Sequence, residues 1–399
     1  MKKKKERAMF VTLWLTVIML LAIALMGGCA KPEAVTSEWD LPFVNFMTGP
    51  AAGMGLPLDW SVEFATKEIN DAGGINGIPI KLVKYDSKFD PAAAVDCMSR
   101  ATPHSLVILG PTANTECQAS GDIAVKEGVY FISPTSDPET IRNFAPWACV
   151  LYPPYTEIHK AVVAEWLNRN PDIKSVAICY HPQIVTEKIS ADAGAEVLEA
   201  AGVKVSRIEC TPGELDMSAP AVKALSYHPD GFFMCVFPDS MGNLIMELRN
   251  RGLTEGRRIV TGMGAMYPAF FEMGKGYIED VYLYGLMDPA YQGTDYQKLC
   301  TEYKSKFTGE LPYGAVVYYD SIYIIKQAFE ACDITGNPTK LKEERIKIRD
   351  YINSLEDFRG LVHTYSIVRS ATTTPVYLLQ VHNDKGVLVE ELDWHKYEK

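Results

Sequence analysis

Glu68-Ile69-Asn70-Asp71-Ala72-Gly73-Gly74-Ile75-Asn76-Gly77-Ile78-Pro79-Ile80-Lys81-Leu82-Val83-Lys84-Tyr85-Asp86 reads as a helix end, a tight turn and an inner strand. Upstream, Leu58, Val62, Ala65 and Ile69 recur at spacings of three and four, the period of a helix with one buried face. Gly73-Gly74 provides the positive-φ residues that close a helix with a left-handed cap. Asn76 and Gly77 both tolerate positive φ and so favour a turn. Ile78 to Val83 is apolar and β-branched, as an inner strand should be. By itself this pattern describes an ordinary β-α-β unit.

Strands and helices alternate outward from that block. Phe43–Met47 reads as the first strand and leads into Thr48-Gly49-Pro50 and Gly53-Met54-Gly55. Asp90-Pro91 has the form of a helix N-cap followed by proline at the first helical position. Leu106–Leu109 and Val129–Ile132 read as short buried strands on either side of a helix from about Glu116 to Glu127. The rhythm repeats with a helix over 157–168, the strand 176–179, a helix over 187–201 and the strands 203–208, 232–236 and 258–261. Such alternation implies parallel sheets covered by helices on both faces.

In open α/β sheets a ligand lies beyond the carboxyl ends of the strands. Gly110-Pro111-Thr112-Ala113-Asn114-Thr115 and Ser133-Pro134-Thr135-Ser136-Asp137 both follow strands and start helices. Backbone N–H groups and the side chains of Asn114, Thr115, Thr135 and Ser136 suit a carboxylate there, helped by the helix dipole. Helix capping is the competing explanation for the same hydroxyls. Met54 stands in the loop after the first strand, and Tyr152 and Tyr155 flank Pro153-Pro154 and are further candidates.

At the level of individual residues the Glu68–Asp86 block resembles the signature of the periplasmic substrate-binding proteins of the branched-chain amino acid type, the receptors of ABC importers. The resemblance covers nearly the whole mature chain and is strongest over 43–138. It implies a type I periplasmic binding fold, with two doubly wound parallel-sheet α/β lobes joined by a three-crossover hinge. The crossings fall near Tyr152-Pro153-Pro154, Met287-Asp288-Pro289 and Arg359-Gly360, so that lobe one is 40–154 plus 289–359 and lobe two 155–288 plus 360–399. In similar receptors the loops matched by Asn114-Thr115 and Thr135-Ser136 grip the carboxylate and ammonium of an amino acid. Phe237 matches an aromatic residue that closes over the ligand from the second lobe. An acid after the next strand pairs with the ammonium in that family. Here the matching stretch, Thr261-Gly262-Met263-Gly264-Ala265, has no Asp or Glu, and Met263 is the remaining contact. Val185 takes the place of another family tyrosine. Since an unpaired buried ammonium is costly, the expected ligand shifts from an α-amino acid toward an apolar or aromatic carboxylate. Asp239 is the alternative acid if the alignment slips. The resemblance also implies delivery to a permease and ATPase without a cofactor. A sensory ligand-binding subunit is the alternative, and an exported enzyme a third.

The first segment agrees with export. Lys2–Lys5 and Arg7 precede the apolar stretch Phe10–Leu25, which is short against the roughly 20 residues of a membrane span. Met26-Gly27-Gly28-Cys29 is similar to a bacterial lipobox, implying a signal peptide over 1–28, lipid on Cys29 and a tether over 29–39. An uncleaved anchor and a plain secretory signal are the other readings. Cleavage would leave about 370 residues and move the net charge from −11 to −15. That acidity argues against nucleic acid and anionic membrane surfaces as partners.

The remaining cysteines (97, 117, 149, 179, 210, 235, 300 and 332) form no Cys-x-x-Cys pair, so no metal site is expected. Cys179 and Cys235 sit in apolar runs and suit the role of small buried hydrophobes. Related receptors often carry a first-lobe disulfide at positions matched here by Phe89 and Ala113, so that bridge is expected to be absent. No dinucleotide fingerprint, Walker loop, nucleophile elbow or His-Glu-x-x-His occurs, and no catalytic residue is assigned. His159 and His181 read as surface or loop residues, and Tyr313, Tyr318, Tyr319 and Tyr323 as core packing with exposed hydroxyls.

Overall fold

The computed structural model describes residues 36–397; the leader, Cys29 and most of the expected tether lie outside them. One sheet contains β1 (Trp39–Asn45), β2 (Ile80–Asp86), β3 (Val107–Leu109), β4 (Tyr130–Ile132) and β5 (Ala148–Cys149), all parallel in the order β2-β1-β3-β4-β5. The other contains β6 (Ser175–Tyr180), β7 (Lys204–Glu209), β8 (Gly231–Cys235), β9 (Ile259–Thr261) and β10 (Tyr282–Gly285). After the small hairpin β11 (Phe358–Arg359) and β12 (Thr364–Tyr365), the chain adds β13 (Val376–His382) antiparallel to β10 and β14 (Lys385–Leu392) antiparallel to β13. Its order is β14-β13-β10-β9-β8-β6-β7. Val107-Ile108-Leu109 and Tyr130-Phe131-Ile132 are buried throughout, as expected of inner strands covered on both faces. Edge strand β14 is mostly exposed and carries Glu390 and Glu391, which discourage pairing with another chain.

In the first half the helices are α1 (Ala52–Asp71), α2 (Pro91–Ala101), α3 (Asn114–Glu127), α4 (Pro138–Arg142), α5 (Tyr155–Arg169) and α6 (Val185–Ala200). The second half adds α7 (Ser218–Leu225), α8 (Pro238–Asn250), α9 (Pro268–Met273), α10 (Thr294–Lys304), α11 (Tyr313–Ala331) and α12 (Leu341–Asn353). Among the described residues no helix is long and apolar enough to cross a membrane.

The Glu68–Asp86 block joins the end of α1 to β2. Gly74 has φ +76°, and a Cβ there would lie 2.2 Å from the Ile78 carbonyl oxygen, so only glycine fits. Asn76 and Gly77 take φ values of 51° and 84°, both positive as in a type I′ turn. Ile75 and Ile78 bond each other's backbone across it at 2.8 and 3.1 Å. Asn70 then ties helix to strand, donating to the Ile80 carbonyl and accepting from the Ile80 N–H, both at 2.8 Å.

Three passages connect the lobes. The chain leaves β5 and enters the second sheet through α5 and β6, and after β10 returns to pack α11 on α1. It goes back through β11 and β12 to β13. The second and third passages are tied together by His363 Nε2 to the Leu286 carbonyl at 2.7 Å and by the Tyr291 hydroxyl to the Leu361 carbonyl at 3.0 Å. Asp320 of α11 accepts from Leu361 N–H and from the Tyr365 hydroxyl at 3.0 and 2.9 Å. Burial pushes that carboxyl up to about 7.

Candidate functional site

A cavity of about 40 Å³ lies where the carboxyl ends of both sheets face each other. It has room for roughly three water positions. One wall comes from the first lobe: Phe46, Met54, Leu58 and Phe89, with Thr112, Ala113, Asn114, Thr115 and Thr135. The second lobe supplies Ile184, Val185, Thr186, Glu187, Phe237, Met263 and Tyr267.

Hydrogen bonds hold the first wall in place. The Tyr318 hydroxyl donates to Thr112 Oγ1 at 2.8 Å, Thr112 Oγ1 to Asn45 Oδ1 at 3.0 Å, and Asn45 Nδ2 to the Gly55 carbonyl at 3.0 Å. Asn114 links the two hydroxyl-rich loops, its Oδ1 accepting from the Asp137 N–H at 2.8 Å. That donor fixes the orientation of the amide, and Asn114 Nδ2 is buried with no partner among the described residues. Beside it, the N–H groups in the first turn of α3 have no intrahelical acceptor. Part of the capping is internal: Glu116 Oε2 accepts from the Ala113 N–H at 3.2 Å, and burial raises that carboxyl to about 7.

Rings from both lobes meet across the cleft. Phe89 and Phe237 meet edge to face across the cleft at 5.5 Å, and Phe46 packs on Phe89 at 5.0 Å. Phe89 holds this position at φ +60°, a left-handed conformation costing of order 1–3 kcal/mol for a bulky residue. Phe237 is held by His181, whose Nε2 accepts from the Phe237 N–H at 3.1 Å. His181 Nδ1 lies 3.1 Å from the Cys210 carbonyl, so it carries the proton and the ring is neutral; burial lowers its pKa. Glu187, in the first turn of α6, is 2% exposed, and burial raises its carboxyl to about 8. Its Oε2 has no partner among the described residues.

Of the sequence candidates, Met54, Asn114, Thr115, Thr135, Phe237 and Met263 line this cavity together. Ser136 does not. Its hydroxyl is buried against Ser133 Oγ at 2.5 Å and Cys117 Sγ at 3.4 Å, a knot beneath α3. Tyr152 is fully buried between the rings of Tyr155 and Tyr313, at 6.2 and 5.5 Å. Tyr155 is buried too and acts behind the wall, donating to the Thr135 carbonyl at 2.6 Å and lying 3.1 Å from Met263 Sδ. His159 and His181 are core residues rather than surface ones, because each ring packs on aromatics and bonds a carbonyl. Tyr318 is likewise not exposed at its hydroxyl, which bonds Thr112. Cys179 and Cys235 are buried free thiols, and no disulfide occurs among the described cysteines.

Sequence reasoning missed Thr186, Glu187 and Tyr267. The rule that places ligands at strand carboxyl ends, followed past β1, β3 and β4 to β6, points to 184–187. A larger space of about 470 Å³ sits between Glu139, Arg142, Glu157, Arg369 and Trp394. It lies away from the facing strand ends and lacks the apolar lining of the first. An exposed trio, Glu279, Asp280 and His382, is close enough to touch one ion, though exposed acidic groups commonly gather without one.

Two lobes enclosing a small, mixed polar and aromatic cavity define a ligand receptor of the hinged α/β class. The periplasmic binding protein family model matches residues 38–386, and the chain belongs to that family. Among curated relatives it is 23% identical over 236 residues to a leucine-, isoleucine-, valine-, threonine- and alanine-binding protein of Pseudomonas aeruginosa, covering 59% of this chain and 63% of that one. It is 25% identical over 239 residues to a Leu/Ile/Val-binding protein of Escherichia coli, covering 58% and 64%. These matches span less than two thirds of the relatives' lengths. A leucine binding protein from Thermotoga maritima shares the fold at TM-score 0.77 and 19% identity, over 89% of this chain and 99% of that one. So does a solute binding protein of Rhodopseudomonas palustris in complex with 3,4-dihydroxybenzoic acid, at TM-score 0.77 and 16% identity, over 90% and 98%.

Proposed function

We propose that this chain is an extracytoplasmic solute receptor that encloses a small carboxylate-bearing ligand between its lobes and delivers it to the permease and ATPase of an ABC importer. The observation that carries this reading is the cavity itself. Asn114, whose Nδ2 has no partner among the described residues, lines it from the first lobe with the start of α3, and Phe237 and Tyr267 line it from the second. In this reading the carboxylate rests against Asn114, Thr115 and Thr135, and an apolar or aromatic body fills the space among Met54, Phe89, Phe237 and Met263. Lobe one comprises 40–154 plus 289–359, and lobe two 155–288 plus the chain from 360 onward. Closure about the three passages buries the ligand and forms the joint surface offered to the permease. Lipid on Cys29 tethers the receptor to the membrane.

A thermal-shift screen of amino acids against aliphatic and aromatic carboxylates tests the reading. A ligand that binds only the folded state at 100 times its Kd adds about 2.7 kcal/mol of stability, which moves the midpoint by several degrees. Stabilisation by one compact carboxylate series is expected. A flat response to every carboxylate, with stabilisation by neutral sugars instead, would overturn it.

A further inference from the structure

The geometry points to Glu187 as the counter-charge for a protonated amine on the ligand, supplied from the start of α6 rather than from the stretch after β9. The inference rests on reading the cavity as the ligand site.

Placement comes first. Val185, Thr186 and Glu187 form the first turn of α6, beyond the carboxyl end of β6, and all three line the cavity. The stretch Thr261–Ala265 brings Met263 to the same cavity and no acid. Glu187 is the one carboxylate on the wall, and the lining contains no Lys, Arg or His. Tyr155, Tyr267, Tyr284 and Cys235 surround it closely enough to interact, and all are neutral groups at ordinary pH. Burial is the sole cause of its raised pKa, with no cation offsetting it.

The second observation is the unpartnered oxygen. A buried carboxylate oxygen without a donor costs free energy that a ligand N–H would recover. Across the same cavity, Asn114 Nδ2 is a buried donor without an acceptor. The two vacant valences are of opposite kind and sit on opposite lobes, which suits a ligand with an anionic end toward α3 and a cationic end toward α6. Phe89, Phe237 and Tyr267 add ring faces and edges around the amine. The first turn of a helix also favours the ionised carboxylate once an ammonium displaces its proton. Ligand uptake therefore releases about one proton per site at neutral pH.

An amine-free anion would use Glu187 differently. It would need the carboxyl to stay protonated and donate, so its affinity would fall as pH rises toward 8, where Glu187 loses its proton. The two ligand classes thus give opposite pH slopes.

The test is calorimetric titration of the protein and of Glu187→Gln with matched pairs: alanine and propionate, leucine and isocaproate, phenylalanine and hydrocinnamate. The amine-bearing member of one pair should bind at least tenfold more tightly to the native protein, with proton release measured in buffers of different ionisation heat. Glu187→Gln should cut that affinity by roughly 30-fold or more, the scale of removing one partner of a buried charge pair. Glu187→Asp, which keeps the charge, should recover part of it. Preference for the amine-free members, or unchanged amine binding in Glu187→Gln, overturns this inference while leaving the carboxylate reading intact. Binding of neither member of any pair overturns both.

Discussion

The two walls of the cleft follow opposite plans. On the first lobe almost every polar group is already engaged: Tyr318 with Thr112, Thr112 with Asn45, Asn114 with Asp137, and Ser136 with Ser133. Among the described residues Asn114 Nδ2 has no partner, and Asn114 lines the cavity with Thr115, Thr135 and the start of α3. The second lobe has few hydrogen bonds at the cavity, the two rings of Phe237 and Tyr267, and one buried acid without a donor. The first wall is therefore held in place by its own hydrogen bonds, and in the proposed reading it needs little rearrangement to receive a carboxylate. The second wall holds a buried acid, protonated at neutral pH and with one oxygen lacking a donor, which in the proposed reading a ligand amine ionises and completes. In the proposed reading, closure gives Glu187 the ligand partner that its buried oxygen lacks in the empty cleft.

The largest effect that could break this contrast is on stability of the empty protein. Glu187 has its folded pKa raised to about 8 from 4.5. Its contribution is fully present below pH 4.5 and is lost as pH rises toward 8, because the unfolded chain gives up the proton first. Glu187→Gln should match the native protein near pH 4 and exceed it by on the order of 3 kcal/mol at pH 9. Denaturant melts at the two pH values read this directly, and parallel losses in both proteins would remove the buried acid from the account. His181 works in the opposite sense, since burial lowers its pKa and its contribution is lost as pH falls below about 6.5.

A smaller effect sharpens the description of the first wall. Thr135→Ala should weaken carboxylate binding about three- to tenfold and leave the melting temperature within about a degree or two, because its hydroxyl makes one long contact, 3.5 Å to the Thr112 carbonyl. Ser136→Ala should do the reverse, costing about 1 kcal/mol of stability through the Ser133–Cys117 knot while affinity holds. Equal losses of affinity in both variants would place Ser136 on the cavity after all.

The same contrast explains what the sequence disclosed. Gly74, Asn76 and Gly77 are residue types that tolerate positive φ, so the opening block shows its turn in sequence alone. The first wall was readable because its residues follow β3 and β4 directly and have obvious capping chemistry. Its failures, Ser136 and Tyr152, have the correct residue types one or two positions from the surface, a distinction decided by packing. The second wall was hard to read because it comes from three separated segments, 184–187, 237 and 263–267. Glu187 looks in sequence like any acid in a first helical turn, and only its burial against Tyr267 and Tyr284 distinguishes it. The missing acid after β9 suggested a ligand without an amine; the fold places an acid in the same cavity by another route.

The most direct measurement is carbon-13 NMR of glutamate-labelled protein, with the Glu187 carboxyl assigned by difference against Glu187→Gln. The account predicts that this resonance titrates near 8 in the empty receptor. With the tightest amine-bearing ligand bound, it should remain ionised down to the ordinary carboxylate range or below. An ordinary titration in the empty protein, or one that ligand binding leaves unmoved, would contradict the central claim.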